Sequence, residues 1–180
     1  MSNKIVCMCG LSLGLMLSPV GFSNVSAQDK CKVSEGAEVA KSTYTQQHTL
    51  DVGDVPGHQI RIYEIHRTYP NDKPNCEGLK RTESWDRGYS NYVDWTGPTT
   101  SFGVIVLENG DKIFTHNVGT SQTTIGPDGT KNSTFTGVTS YTGGTGKYKG
   151  IRGFVRVSAK FDPVKNVNLP QFEGEYWLEK

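Results

Sequence analysis

The sequence has few cysteines, no excess of either charge and, beyond its N-terminus, no long apolar run. Its one apolar stretch, "IVCMCGLSLGLML", follows Lys4 and precedes small residues, with Val25 and Ala27 at the −3 and −1 positions of a signal-peptidase site. We therefore expect a secretory signal peptide over residues 1–27. An uncleaved membrane anchor is the alternative, but Ser12 and Pro19 interrupt a stretch already short for a membrane span. The sequence predicts a secreted or periplasmic protein.

The balance of charge limits the partners that the protein can have. Residues 1–27 contain one basic residue, Lys4, and no acidic residue, so 18 acidic and equally many basic residues remain. A nucleic-acid-binding protein needs a basic face, and this balance argues against one. Residues 28–180 are long enough to bury a hydrophobic core, and we expect them to form one domain.

Two cysteines remain after the predicted cleavage, Cys31 and Cys76. In an oxidising compartment we expect them to form one disulfide, joining the N-terminal segment to the loop "NDKPNCEG". Free thiols or a metal-binding pair are the alternatives, but no C-x-x-C spacing and no neighbouring histidine supports a metal. Because His48, His58 and His116 fall on different predicted elements, we expect no metal site among them.

Helical periodicity is also missing, and the chain instead alternates runs of β-branched and aromatic residues with turn residues. About eight such runs follow one another along the chain. Asn109-Gly110 between "FGVIVLE" and "DKIFTHNV" predicts a hairpin, and "GPDGT" at 126–130 predicts a second turn. This pattern indicates an all-β domain, either a closed antiparallel barrel or a sandwich.

The glycine-rich stretch "SYTGGTGKYKG" at 140–150 does not have the spacing of a nucleotide-binding loop. Tyr141 stands where a P-loop needs its first glycine, and Tyr148 stands where it needs a short hydroxyl side chain. No helix is predicted after it whose N-terminus could hold a phosphate. The stretch therefore does not predict a phosphate site.

The strand predicted in "QIRIYEIHRT" has two different faces. One face carries Ile60, Ile62, Glu64 and His66, and the other carries Arg61, Tyr63, Ile65 and Arg67. If the first face points inward, Glu64 and His66 place two ionisable groups at one end of an apolar lumen, as in many small-molecule sites. The alternative is a solvated strand end, and the period alone does not decide between them.

Four stretches resemble landmarks of the allene oxide cyclase family and, more loosely, of the dirigent proteins that share its barrel. They are "YEI" at 63–65, "YSN" at 89–91, "SYTGGTGKYKGIRGFVRV" at 140–157 and "FEGEYWLE" near the C-terminus. The resemblance covers residues 59–180, preceded by an N-terminal segment and first strand at 28–58. It implies an eight-stranded, antiparallel, closed β-barrel of calycin-like type, often trimeric, with a mainly apolar cavity. In that family the glycine-rich stretch is a tight turn between two strands.

The resemblance also implies site residues. Glu64 matches the glutamate of a Tyr-Glu-Ile-Asn motif in the cyclases, and Asn91 matches a second asparagine of their water site. His66 replaces the asparagine of the motif, which departs from the family pattern. We interpret Glu64 with His66 as an acid–base pair. A buried pair satisfied by cross-strand hydrogen bonds is the alternative.

Larger side chains give further candidates for contact with a ligand. Trp85, Arg87 and Tyr89 share one face of a predicted strand, and His116 is added to them as a ligand-binding residue. An oligomer interface or a partly exposed strand with its arginines in solvent is the alternative. Two functions follow for a small, apolar, oxygenated molecule. One is a cofactor-free isomerase, cyclase or stereochemistry-directing protein with Glu64 as its catalytic group, and the other is a non-catalytic carrier.

Overall fold

Turn residues divide the chain into nine extended segments, and each forms a β-strand in the computed structural model, which describes residues 29–179. The predicted signal peptide lies outside these residues. All nine strands of the described residues belong to one sheet. The strands are β1 (Cys31–Glu35), β2 (Lys41–Asp51), β3 (His58–Thr68), β4 (Arg81–Val93), β5 (Gly97–Leu107), β6 (Lys112–Ile125), β7 (Lys131–Gly144), β8 (Ile151–Asp162) and β9 (Val167–Leu178).

All neighbouring strands are antiparallel, in the order β1-β9-β8-β7-β6-β5-β4-β3-β2. The predicted all-β class is confirmed. The predicted eight-stranded closed barrel is wrong, because the sheet has nine strands and no ladder joins its two edge strands, β1 and β2.

The extra strand explains why the ladder does not close. β1 has five residues and pairs with β9 from Cys31 opposite Tyr176 to Glu35 opposite Phe172. This pairing occupies the backbone edge of β9 that β2 would need, since each strand edge can hydrogen-bond with one neighbour only. The sheet therefore ends at β2.

Side-chain hydrogen bonds, rather than a backbone ladder, connect β2 to β9 and to the turn between β8 and β9. The amide nitrogen of Tyr44 donates to Oδ1 of Asn166 at 2.7 Å, and Nδ2 of Asn168 donates to the Tyr44 hydroxyl at 3.2 Å. Nε2 of Gln47 donates to the carbonyl of Pro163 at 3.3 Å. Residues from all nine strands consequently surround one interior cavity.

One cluster of the hydrophobic core lies at the end of the sheet that carries the β5–β6 and β7–β8 turns. It consists of six buried residues: Cys31, Leu107, Ile113, Tyr148, Ile151 and Tyr176. Cys31 and Cys76 form the predicted disulfide, which joins β1 to the β3–β4 connection. Nδ2 of Asn75 in that connection donates to the Tyr148 hydroxyl at 2.6 Å. The β3–β4 connection thus packs over this core cluster and covers this end of the sheet.

The turns that the sequence predicted are present. Asn109-Gly110 lies between β5 and β6, and Gly110 has a φ of 86°. Residues 126–130 connect β6 to β7. The glycine-rich stretch includes the end of β7, forms a 3₁₀ turn at Gly146–Tyr148 and leads into β8. Within residues 29–179, no helix has the length and hydrophobicity that crossing a membrane requires.

Candidate ligand-binding cavity

The face of β3 that carries Glu64 and His66 is the outer face of the sheet. Ile62, which lies on the same face nearer the start of β3, is 60% exposed. Tyr63 and Ile65 on the opposite face are buried. The interior position considered for Glu64 and His66 is therefore wrong, and neither residue lines the cavity. Whether they take part in any chemistry stays a prediction.

The structure does bring four of the predicted site residues together on this outer face. Nε of Arg87 lies 2.7 Å from Oε2 of Glu64, and its guanidinium lies 5.6 Å from the ring centre of Trp85. The His66 ring stacks on Trp85 at 4.0 Å, and Nε2 of His66 lies 2.9 Å from a Glu83 oxygen. The cluster is a network of paired charges and stacked rings on a strand surface.

The other predicted residues lie farther along the same surface. Tyr89 is half exposed, and Asn91 is bonded to His58 through its Oδ1, 2.6 Å from Nε2. His116 stacks on Phe102 with 4.7 Å between ring centres, and its Nε2 lies 2.9 Å from the Thr100 hydroxyl. None of these three side chains reaches the cavity.

The cavity itself has a volume of about 120 Å³ and a wall of two kinds. Polar and aromatic residues come mainly from β2 to β4, among them Tyr44, Arg61, Tyr63, Arg67, Arg81 and Asp86. Apolar residues come mainly from β7 to β9, among them Phe135, Val155, Val157, Phe161, Pro170 and Phe172. This division is typical of a pocket that orients a ligand by a few polar groups.

Small side chains at inward positions of the middle strands create the space. Ser84, Thr99, Ser101 and Ser121 are all buried and line the cavity. A filled core would place large aliphatic or aromatic side chains at such positions. Because these four side chains are too short to meet the opposite wall, the centre of the sheet is left unfilled.

Two of the three arginines in the wall are paired with acids. Arg81 contacts Asp72 at 2.6 Å and Glu35 at 2.7 Å. Arg67 pairs with Asp86 and donates from Nη2 to Oδ1 of Asn168 at 3.1 Å, whereas its buried Nε has no hydrogen-bond partner. Paired charges of this kind hold the polar wall in place.

The third arginine, Arg61, has no acidic partner among residues 29–179. Only 3% of Arg61 is exposed, and it donates from Nε and Nη2 to Oε1 of Gln47 at 3.1 and 2.6 Å. Its guanidinium carbon lies over three aromatic rings, at 5.0 Å from the centre of Tyr44, 4.8 Å from that of Tyr63 and 5.5 Å from that of Trp95.

Tyrosines supply further polar atoms of the wall. The hydroxyl of Tyr63 lies 3.2 Å from that of Thr99, and the hydroxyl of Tyr69 lies 2.9 Å from that of Ser84. Burial raises the pKa of Tyr63 to about 12 and also raises the pKa of Tyr69. Both phenols are therefore protonated at neutral pH and act as hydrogen-bonding groups, not as bases.

Sequence reasoning missed the cavity residues because it took its candidate site residues on β3 from the face that carries Glu64 and His66. The available signal was the opposite face, on which arginine and tyrosine continue to Tyr69. A second signal was the run of small inward residues on β5, Thr99, Ser101 and Gly103. Bulky polar side chains on β3 and small ones on β5, two places away in the sheet, leave space on the inner face, which indicates a pocket.

Comparison of the chain with protein-family models finds no match. Comparisons with curated proteins and with solved structures find no significant match either. The resemblance to the allene oxide cyclase family therefore stays a prediction, and the function has to be argued from the cavity.

Proposed function

We propose that the protein binds a small amphipathic molecule in the cavity that its sheet surrounds. The observation that carries the proposal is the two-sided wall, in which arginines and tyrosines from β2 to β4 and apolar side chains from β7 to β9 line one space. A molecule with a polar end and an apolar body would contact both kinds of wall.

The proposal is for binding, because the residue expected to catalyse a reaction lies elsewhere. The Glu64 carboxylate accepts a hydrogen bond from Thr45 at 2.7 Å and pairs with Arg87, both on the outer face. Inside, Asp86 is paired with Arg67, and the buried tyrosines are protonated. This arrangement favours a fixed set of hydrogen-bonding groups, as a carrier requires.

We also propose that the protein works outside the cytoplasm. The Cys31–Cys76 disulfide supports this location, since structural disulfides persist in oxidising compartments. A carrier in such a compartment would hold its ligand without consuming any cofactor.

Analysis of co-purified molecules tests the proposed function. The exported protein is purified without denaturant, unfolded and extracted, and the extract is examined by mass spectrometry. Ser101→Phe places a large ring in the cavity, whereas Ser158→Phe adds the same ring at an exposed position on β8. We expect the wild type and Ser158→Phe to release the same molecule and Ser101→Phe to release little of it.

Circular dichroism of all three proteins shows whether the variants are folded. Equal amounts of the molecule from folded Ser101→Phe and from the wild type would contradict binding in the cavity. An extract from the wild type that matches the buffer blank would contradict it as well.

A further inference from the structure

Arg61 is a buried cation whose charge no acid of the described residues balances. The other two arginines of the cavity wall each face at least one carboxylate, Arg67 facing Asp86 and Arg81 facing Asp72 and Glu35. Burying an ion is costly unless a partner compensates it. The partners that Arg61 has are the neutral amide of Gln47 and three aromatic rings.

The side chain lies where a ligand can reach it. Arg61 lines the cavity, and its neighbours there are Tyr44 and Tyr63. The rings hold the guanidinium from their faces through cation–π contacts, each of which compensates only part of a buried charge. Gln47 fixes the orientation of the guanidinium group within its own plane, because its Oε1 accepts hydrogen bonds from both Nε and Nη2 of Arg61.

The surroundings of Arg61 favour an anion over a neutral group. The Tyr44 hydroxyl accepts a hydrogen bond from Asn168 at 3.2 Å, so that its own proton is free to donate. Burial raises the pKa of Tyr44, although the nearby positive charges of Arg61 and Arg67 oppose the shift. A carboxylate beside Arg61 would therefore meet a cation and a neutral donor, a combination that binds carboxylates strongly.

From this geometry we propose that the ligand is a small organic acid whose carboxylate pairs with Arg61 while its apolar body lies against β7 to β9. The inference rests on the proposed function, and it adds the chemical class of the ligand. No bond is made or broken in this binding, and the only requirement is that the acid is ionised.

Matched acids and amides test the proposal. The probes are phenylacetate with phenylacetamide, cinnamate with cinnamamide, and octanoate with octanamide, each pair differing in charge but hardly in shape. Binding to the full exported protein is measured by isothermal titration calorimetry at neutral pH. We expect the acid of at least one pair to bind at least about tenfold more tightly than its amide, because a charge-assisted pair with arginine is lost in the amide.

Variants assign the preference to one side chain. Arg61→Met keeps the length and removes the charge, and we expect it to bind the acid no more tightly than the matched amide. Arg61→Lys keeps a charge and should retain part of the preference. Arg156→Met, which removes an exposed arginine on β8, is the matched control and should behave as the wild type.

The possible failures are distinguishable. Equal binding of acids and amides to the wild type would overturn this proposal and leave the proposed function standing; this comparison needs no variant. A preference that survives in folded Arg61→Met would overturn the assignment to Arg61. If no probe binds, the organic-acid proposal is overturned, and the co-purification experiment decides separately whether a ligand occupies the cavity.

Discussion

The imidazole of His58 has an oxygen acceptor beside each of its nitrogens. Nδ1 lies 2.6 Å from Oδ1 of Asp54, and Nε2 lies 2.6 Å from Oδ1 of Asn91. Both contacts are hydrogen bonds only when the ring carries two protons, and the pKa of His58 is raised, first by Asn91 and then by Asp54. The structure thus gives Asn91 a role at the start of β3, on the outside of the sheet.

The first prediction is that Asn91→Ala lowers the pKa of His58 towards, but not down to, its usual value of about 6.5, because Asp54 remains. The stability that the charged ring contributes is fully present below the unfolded pKa and is lost as the pH rises through the raised folded value. The loss in the variant should therefore begin at lower pH than in the wild type. NMR titration of the His58 ring measures the pKa directly.

Gln122→Ala, which removes an exposed amide side chain on β6, is the control and should leave the titration of His58 unchanged. An unchanged His58 pKa in Asn91→Ala would show that the hydrogen bond to Asn91 does not favour the charged ring.

The second prediction concerns Glu64, whose side chain is 12% exposed, whereas that of its partner Arg87 is 59% exposed. A pair that is open to solvent on one side is screened, so Glu64→Gln should cost less than about 1 kcal/mol of unfolding free energy. The amount of co-purified ligand should not change, since Glu64 lies outside the cavity. Arg87→Gln is the matched control and should have an equally small effect. Loss of ligand in Glu64→Gln alone would revive the role that the sequence predicted for this carboxylate.

At the scale of elements, β1 is held by a covalent and an ionic link to the same connection. Cys31 is bonded to Cys76 in the β3–β4 connection, and Glu35 contacts Arg81, which also binds Asp72 of that connection. The two links act on opposite ends of a five-residue strand. Such a short edge strand has few ladder hydrogen bonds of its own, so these links should determine whether it stays paired with β9.

The third prediction follows from the disulfide. Replacing Cys31 and Cys76 together by serine should lower the unfolding free energy by about 4 kcal/mol in the chain-entropy model, for the sequence separation of 45 residues. Urea unfolding of the double variant measures the loss, and the reduced wild type is its control. A loss below about 1 kcal/mol would indicate that the Arg81 ion pairs already restrain the connection in the absence of the disulfide.

The fourth prediction concerns a glycine at the start of β8. Gly153 has a φ of 130°, and a Cβ there would lie 2.3 Å from the carbonyl oxygen of Glu175 on β9. Gly129 in the β6–β7 turn has a φ of 79° with nothing within 4 Å of its Cβ position. Gly129→Ala should therefore cost only about 1 kcal/mol for its backbone conformation, and Gly153→Ala at least about 3 kcal/mol. Chemical denaturation compares the two variants, and equal losses would mean that β9 can move away at no cost.

At the scale of the whole molecule, the sequence predicted what is local. The hairpin at Asn109-Gly110 depends on neighbouring residues, and the alternation of β-branched runs and turns predicted the all-β class. The open order of the sheet was beyond such reasoning, because it depends on the pairing of Glu35 with Phe172, far apart in the chain. The inner face of β3 was equally undecided, since both of its faces mix apolar and ionisable residues. Only packing against the other strands distinguishes them.

The seam between β2 and β9 closes the cavity without a backbone ladder, and one side chain connects its parts. Asn168 on β9 donates to the Tyr44 hydroxyl at 3.2 Å and accepts from Nη2 of Arg67 at 3.1 Å. Removing it deprives the Tyr44 hydroxyl and Nη2 of Arg67 of one hydrogen-bond partner each, a loss that typically costs about 1–3 kcal/mol.

The fifth prediction is that Asn168→Ala loosens β2 before the rest of the sheet. Amide hydrogens of Lys41–Asp51 should exchange about tenfold faster or more, because β2 is an edge strand with a ladder on one side only, to β3. Exchange in β5 to β7 should not change, since their ladders are on both sides. Hydrogen–deuterium exchange with mass spectrometry measures both regions in one experiment, and Asn132→Ala at an exposed position on β7 is the control. A uniform acceleration across the sheet would show instead that the seam opens only when the whole molecule unfolds.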